Sequence, residues 1–337
     1  LAPPKTLIDR TTPLLRERIR RVFQHLPKAL AGDEEAIHQM RVSGRRLRVA
    51  LPLLARKPEG RRVRRALGVL CQIRSAAGAS RDLDVGVALL EERVHDLEAP
   101  SREARTLLRR LRAARTRSRA RMAETLMDLE IARLRRHLRR VLSRRGEGLF
   151  PVLLRLGRER DARGASLLAA LAWLGEDYDP DALHRLRIGA RRLRYMAEIS
   201  EGLKGTPAAA SLLFKEVQEH LGLIRDAYVL SAWLGKQAES AKARGQEALA
   251  AEAAAQQAWF LEMSRSQHRE FLKADVAATV ARGLQALGGS SGPLPEGRAG
   301  PAYNASRDTQ RERSLPDAST DHSTRDRRAP GNPGHTG

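Results

Sequence analysis

The sequence predicts an all-α protein assembled from two copies of one helical unit. Three observations carry this. Apolar residues recur at spacings of three and four up to about residue 287, among Ala, Leu, Arg and Glu, without β-branched alternation. Residues 36–48 read AIHQMRVSGRRLR and residues 182–194 read ALHRLRIGARRLR, so H-x-x-R-x-x-x-R-R-L-R occurs twice, displaced by 146 residues. Downstream, Gly78-Ala79-Ser80-Arg81-Asp82 matches Gly222-Leu223-Ile224-Arg225-Asp226 at a displacement of 144. An arginine-rich chain yields single Arg coincidences readily. An ordered string that includes His, followed by a second match at nearly the same displacement, points to duplication.

The elements follow in order. Thr12-Pro13 reads as an N-cap followed by proline at the first helical position, opening a helix through Leu14, Ile19, Val22, Phe23 and Leu26. Gly32-Asp33 breaks it, and Asp33 caps a second helix, about 34–56. Pro58 and Gly60 mark another break. A third helix is expected over 61–78 and a fourth from near Asp82, with Gly78 to Asp82 as a junction and Asp82 and Asp226 as N-caps. Residues 101–144 read as one long, charged, helical stretch. Pro151, Asp179-Pro180, Gly205-Thr206-Pro207 and Gly245 punctuate the second half. The expected organisation is one domain over 10–287, with a first copy at about 10–145 and a second at about 149–287. The tail, 288–337, is rich in Gly, Pro, Ser, Asp and Arg and reads as disordered, because it cannot bury enough apolar surface to offset its ordering entropy.

Composition narrows the partners. Among 337 residues, 62 Lys and Arg oppose 40 Asp and Glu, a formal net charge of +22. Charges in the tail nearly cancel, so the excess belongs to the helical part. Arginine dominates it, and its planar fork matches two phosphate oxygens at once. The partner is therefore expected to be anionic: nucleic acid, a phosphate polymer or an acidic membrane surface. Only 4% of residues are aromatic, which counts against single-strand nucleic-acid binding by base stacking. Cys71 is the single cysteine. It allows no disulfide framework and no cysteine-based zinc site within one chain, which fits a reducing compartment. No apolar run is long enough to span a bilayer, and no secretory pattern is visible.

The duplicated string carries the chemistry. On a helix, His38, Arg41, Arg45 and Arg48 fall within an arc of roughly 80°. Ile37, Met40, Leu47, Leu51 and Leu54 occupy the neighbouring arc and face a core. His184, Arg187, Arg191 and Arg194 repeat the pattern, while Arg46 and Arg192 point elsewhere on an ideal helix. Arginines along one face suit a polymer charged on every unit, each neutralising a phosphate and releasing counterions. Two such helices would line both walls of one groove. A solvated face is the usual reason for a charge stripe, but a solvated face needs no matched His-Arg string. Histidine among phosphates can donate from both nitrogens when protonated. Asp82 and Asp226 are candidates for holding groove arginines, with Arg81 and Arg225 adding charge. Arg74 and Lys215 are further groove candidates, as are Arg16 and Arg20, for which an exposed surface role is the equal alternative. Arg155 and Arg158 are possible counterparts of the last two, although the repeat slips there.

Catalytic and cofactor readings find little support. No G-x-x-x-x-G-K-[ST] or G-x-G-x-x-G string appears. Cys71 has no visible His-Asp partner system. The repeat histidines lack carboxylates at metal spacing, and their arginine neighbours would repel a cation. No catalytic residue, metal or cofactor is expected.

At these residues the sequence resembles the CHAD family, the conserved histidine α-helical domain, whose pattern includes an H-x-x-R-V/I-x-x-R-R-L-R segment and a later L-G-x-x-R-D segment, each twice. Here these are Ile37 to Arg48 with Arg81-Asp82, and Leu183 to Arg194 with Leu221 to Asp226. The resemblance covers about 10–285. The first copy departs from it, with Ala77 in place of Leu before Gly78. The resemblance implies two four-helix-type bundles related by pseudo-twofold symmetry around a basic central groove. It also implies non-catalytic binding of inorganic polyphosphate and, for some members, association with polyphosphate granules in the cytoplasm. The implied site residues are His38, Arg41, Arg45, Arg48, His184, Arg187, Arg191 and Arg194 with the two Arg-Asp pairs. The chain shows no β-rich segment for the triphosphatase domain that many relatives carry. A nucleic-acid-binding helical protein is the competing expectation.

Overall fold

The computed structural model describes residues 10–142 and 148–288. The expected tail falls outside them beyond Gly288, as does the boundary between the copies at 143–147. Ten helices and no strand occur among the described residues: α1 (Thr11–Leu30), α2 (Glu34–Leu54), α3 (Arg61–His95), α4 (Arg102–Met127), α5 (Ile131–Leu142), α6 (Leu149–Ala172), α7 (Pro180–Lys204), α8 (Ala210–Lys242), α9 (Glu247–Lys273) and α10 (Val276–Ala286).

Local chemistry sets several boundaries. Asp33 accepts from Ala36 N at 2.7 Å and starts α2. Ser101 does the same for Ala104 N at 2.9 Å in α4, and Asp179 caps α7 with Pro180 at its start. Gly205 and Gly245 end α7 and α8 with φ of 71° and 67°, conformations that a Cβ disfavours. The first helix begins differently from expectation. Arg10, not Thr12, occupies the cap position, and Pro13 sits inside the first turn, where its missing N–H costs no helical bond.

The larger correction concerns the Gly-Asp segments. Gly78 to Asp82 lies inside the unbroken α3, and Gly222 to Asp226 inside α8, so neither Asp82 nor Asp226 is an N-cap. Burial runs straight through both segments, by way of Ala77, Ser80 and Leu83 in α3 and Leu221, Ile224 and Ala227 in α8. Packing on both sides outweighs the local preference of Gly and Asp for a turn. Conversely, the stretch expected to be continuous over 101–144 breaks at 128–130 into α4 and α5.

Each half contributes five helices, and the same partners recur. α1 packs on α2 as α6 packs on α7; α2 on α3 as α7 on α8; α3 on α4 as α8 on α9. The short α5 rests on α1 and α3, as α10 rests on α6 and α8. Between halves, α2 meets α7, α3 meets α8 and α4 meets α9. Three apolar cores result. One lies under α1, α2, α5 and the start of α3 and includes the expected Ile37, Met40, Leu47, Leu51 and Leu54. One lies under α7, α10 and the start of α8. The third is shared, built from Leu83, Leu90, Leu107 and Leu111 of the first half and Leu230, Trp233, Leu234 and Phe260 of the second. It locks the far ends of the long helices together. The α2–α7 contact is thereby held at a fixed place, with a charged face on each helix beside it.

Candidate functional site

A cavity of about 730 Å³ opens between α2, α3, α6 and α7. Its apolar floor is Val49, Pro52, Leu53, Leu67, Ile188 and Met196. Nine arginines surround it: Arg45 and Arg48 from α2, Arg64 and Arg74 from α3, Arg155, Arg158 and Arg163 from α6, and Arg191 and Arg192 from α7. Only Glu59 and Glu159 oppose them on the lining, and Arg163 Nη2 already holds Glu159 at 2.7 Å. Arg155 donates from Nε and Nη2 to the Leu53 carbonyl at 3.2 and 3.0 Å, which ties α6 to the end of α2. Leu53 lies in the last turn of α2, where carbonyl oxygens have no helical donor, and Arg155 takes that one. Arg45 Nε is buried and meets no acceptor among the described residues. Such an unsatisfied buried donor is costly in a finished interior.

The sequence-derived candidates divide into groups. Arg45, Arg48, Arg74 and Arg191 line the cavity. Arg192, expected to point elsewhere, also lines it. α6 walls α7 on that side and encloses an arc that an isolated helical wheel assigns to solvent. His38, Arg41, His184, Arg187, Arg81 and Arg225, with Asp82 and Asp226, lie off the lining, toward the crossing of α2 and α7 with α3 and α8. Arg41 feels Arg45, Asp82, Arg81 and Arg187, and burial pushes its pKa down to about 9, so it remains a cation at neutral pH. His38 lies below the ordinary histidine value, first through burial and then through Arg81. Asp226 lies above the ordinary carboxylate value through burial, opposed by Arg187. Asp82 lies close to Arg41 and Asp226 close to Arg187, both arginines off the cavity lining. Arg41 Nη1 and Arg187 Nε are buried without an acceptor among the described residues.

Arg194 departs furthest from its expected role. Its Nε faces Glu198 Oε1 at 3.5 Å, and its Nη1 donates to Gln218 at 3.4 Å. Glu198 also holds Arg46 at 2.7 Å and Arg18 at 3.0 Å. Arg194 is therefore part of an ion-pair knot outside the cavity, and the two stripes do not form matching walls. Under the repeat, Glu198 stands where Pro52 stands in the first copy, one turn beyond the basic stripe. Arg16 and Arg20 are exposed on α1, where Arg20 grips Glu17 at 2.8 Å. Lys215 pairs with Glu219 at 3.3 Å. None of these three lines the cavity.

Arg64, Arg163 and Arg192 are lining residues that sequence reasoning did not select. Arg155 and Arg158 enter from the sequence only through a slipped match to Arg16 and Arg20 of α1. No motif marks Arg64 or Arg163, which come from helices distant in sequence. Among the described residues, no group of three His, Cys, Asp or Glu side chains is gathered to hold a metal ion, and no helix is long and apolar enough to cross a membrane.

Fold and site together define an all-helical protein with a deeply basic cavity. A family model described as CHAD domain matches residues 13–235, and the chain belongs to that family. The crystal structure of the CHAD domain from the plant Ricinus communis is similar, with a TM-score of 0.58 and 22% identity, covering 82% of this chain and 91% of that one. PptA from Streptomyces chartreusis is similar at a TM-score of 0.58 and 19% identity, covering 79% and 99%. At these identities the structures establish the shared all-α fold. No functionally curated protein matches the sequence.

Proposed function

We propose that this protein binds inorganic polyphosphate, without catalysis, in the cavity between α2, α3, α6 and α7. One observation carries the reading: nine arginines face a single cavity against two glutamates. A chain of phosphates supplies charge at every unit, so neighbouring guanidiniums each find two oxygens without competing for one group. Polyphosphate binding is a known property of CHAD domains, which supports the same reading. Arg45, Arg48, Arg74, Arg158, Arg191 and Arg192 are the contact residues we assign. Arg41, Arg81, Arg187 and Arg225, offset in part by Asp82 and Asp226, extend the positive field inward, with His38 and His184 beside them. The recurring helix partners support a domain over 10–287 built from two copies, about 10–145 and 149–287. An accessory role in polyphosphate metabolism, at polyphosphate granules in the cytoplasm, follows from this reading.

The test is binding of long-chain polyphosphate at about 0.15 M salt, near physiological ionic strength, with duplex DNA as competitor. Polyphosphate is expected to win, and Arg45→Ala with Arg191→Ala to weaken it strongly. Equal competition by DNA, with no greater loss than from Arg20→Ala, would reduce the protein to a diffuse polycation. Release of phosphate from the polymer on adding magnesium or manganese would overturn the non-catalytic part.

A further inference from the structure

Outside the cavity, a strongly basic surface is formed by the first turns of α3 and the outer face of α5. α5 reads IARLRRHLRRVL, with Leu134 and Leu138 fully buried and Arg133, Arg135, Arg136, Arg139 and Arg140 exposed. It packs on α3, where Arg61, Arg62, Arg64 and Arg65 are exposed in the first two turns. The two sets adjoin. His137 of α5 is held below the ordinary histidine value by burial first, then by Arg65 of α3, and further by Arg133, Arg140 and Arg136. Glu130 holds Arg133 at 2.7 Å. Arg135 lies over the Phe23 ring at 5.0 Å.

Two features argue against a merely solvated face. First, the fold does not require this charge. α10 occupies the matching place on α6 and α8, and it carries a single basic residue, Arg282, in VAATVARGLQA. At the displacement of 144, RRVRRA at the start of α3 stands opposite GTPAAA at residues 205–210, which carries no charge. Second, the charge works against its own helix. No acidic residue stands in the first turn of α3, so its arginines crowd the positive end of the helix dipole. An external anion there is favoured by the arginines and the helix end together. The patch is also continuous with the cavity, because Arg64 belongs to both.

We propose that a polyphosphate chain held in the cavity continues outward past Arg64 and lies across the α3–α5 surface, making this patch a second, length-selective segment of the binding site. The inference rests on the polyphosphate reading of the cavity. It makes the protein a binder that distinguishes long polymers from short ones. A short oligophosphate fits within the cavity and leaves the patch empty. A long chain uses both.

The experiment compares tripolyphosphate with long-chain polyphosphate on the full chain and on Arg62→Gln/Arg65→Gln/Arg136→Gln/Arg140→Gln, which leaves every cavity arginine in place. For the long polymer, the slope of log affinity against log salt is expected to fall by roughly 3, at about 0.7 per lost contact to a single strand. Tripolyphosphate affinity is expected to stay unchanged. Arg45→Ala/Arg191→Ala should weaken both lengths. An equal loss for both lengths in the patch variant would mean general electrostatics only and overturn the proposal, as would no loss for the long polymer. An equal loss of duplex DNA binding would assign the patch to nucleic acid and overturn it too. Failure of the unmodified protein to bind either phosphate chain would instead remove the cavity reading itself. Circular dichroism melting of the variant separates these outcomes from misfolding.

Discussion

Glu198 Oε1 accepts a hydrogen bond from Arg46 Nη2 at 2.7 Å, joining α2 and α7, the two helices that carry the repeated His-Arg string. The other carboxylate oxygen takes Arg18 Nη2 of α1 at 3.0 Å, and Arg194 stands at 3.5 Å. Arg46 and Arg194 also lie over the Tyr195 ring, at 5.7 and 5.9 Å. Three guanidiniums thus converge on one largely buried carboxylate. This is a phosphate-like arrangement filled by the protein's own side chain. At the matching position of the other repeated string stands Pro52, which carries no charge and lines the basic cavity.

Glu198→Gln should therefore do two things. It strands buried cations, so stability in urea denaturation is expected to fall by about 3 kcal/mol, the cost of breaking a buried pair. It also frees three arginines for an outside anion. Added tripolyphosphate should then raise the melting temperature of the variant more than that of the unmodified protein. An equal rise in both would mean that the knot is structural only.

The cavity arginines should behave differently. Arg45 and Arg191 are half-buried and line the cavity from facing helices. Each single change to Ala is expected to lower polyphosphate affinity roughly tenfold, the worth of one charge-assisted bond. Arg20→Ala should change it by less than about twofold, because that exposed side chain is spent on Glu17. Isothermal titration at fixed salt checks both. Melting temperatures should barely move, since neither Arg45 nor Arg191 carries an apolar core.

How much of this was legible in the sequence differs by feature. The repeat exposed α2 and α7 and the apolar arc under them, because a buried face and a functional face on one helix leave a short ordered string. Arg45, Arg48 and Arg191 came with it. Arg64, Arg158 and Arg163 did not, because the cavity is completed by α3 and α6, and convergence of distant helices leaves no spacing to read. Arg192 falls outside the stripe on an ideal wheel, which ignores which neighbour covers which arc. Arg194 falls on the stripe although Glu198, one turn on, pairs with it; that acid adjoins the stripe in sequence, but its partner Arg18 lies 180 residues away. Gly78 and Asp82 misled in the opposite sense, as local turn formers overruled by core packing on both sides.

Acid should loosen the fold through its buried histidines. His268 is 1% exposed against Tyr178, with ring centroids 5.7 Å apart. Burial first, and Arg269 second, hold it below the ordinary histidine value. The unfolded chain therefore takes up this proton first as pH falls. The stability associated with a neutral His268 is full above about 6.5, the ordinary histidine pKa. It is lost progressively between that value and the lower folded pKa. His38 and His137 shift in the same direction and add to the slope. Urea midpoints measured from neutral pH downward should fall across this window. His268→Phe, which keeps a ring against Tyr178, should flatten the fall; an unchanged slope would place the acid sensitivity elsewhere.

The contact between α8 and α10 gives a prediction about packing alone. Gly283 approaches the Phe214 ring so closely that a Cβ there would lie 2.9 Å from Cζ and 3.2 Å from both Cε atoms. Phe214 is fully buried in the second-half core among Leu193, Val217 and Val280, so its ring cannot swing aside as an exposed side-chain tip would. Gly283 itself has ordinary helical φ, and alanine would otherwise improve the helix by about 1 kcal/mol. Overpacking costs about 1–3 kcal/mol. Steric cost therefore wins, and Gly283→Ala is expected to lower the urea midpoint. Gly283→Ala combined with Phe214→Leu should recover part of the loss, since the smaller side chain removes the ring atoms the new methyl meets. If the single variant is instead more stable, α10 slides over α8 more freely than this packing allows.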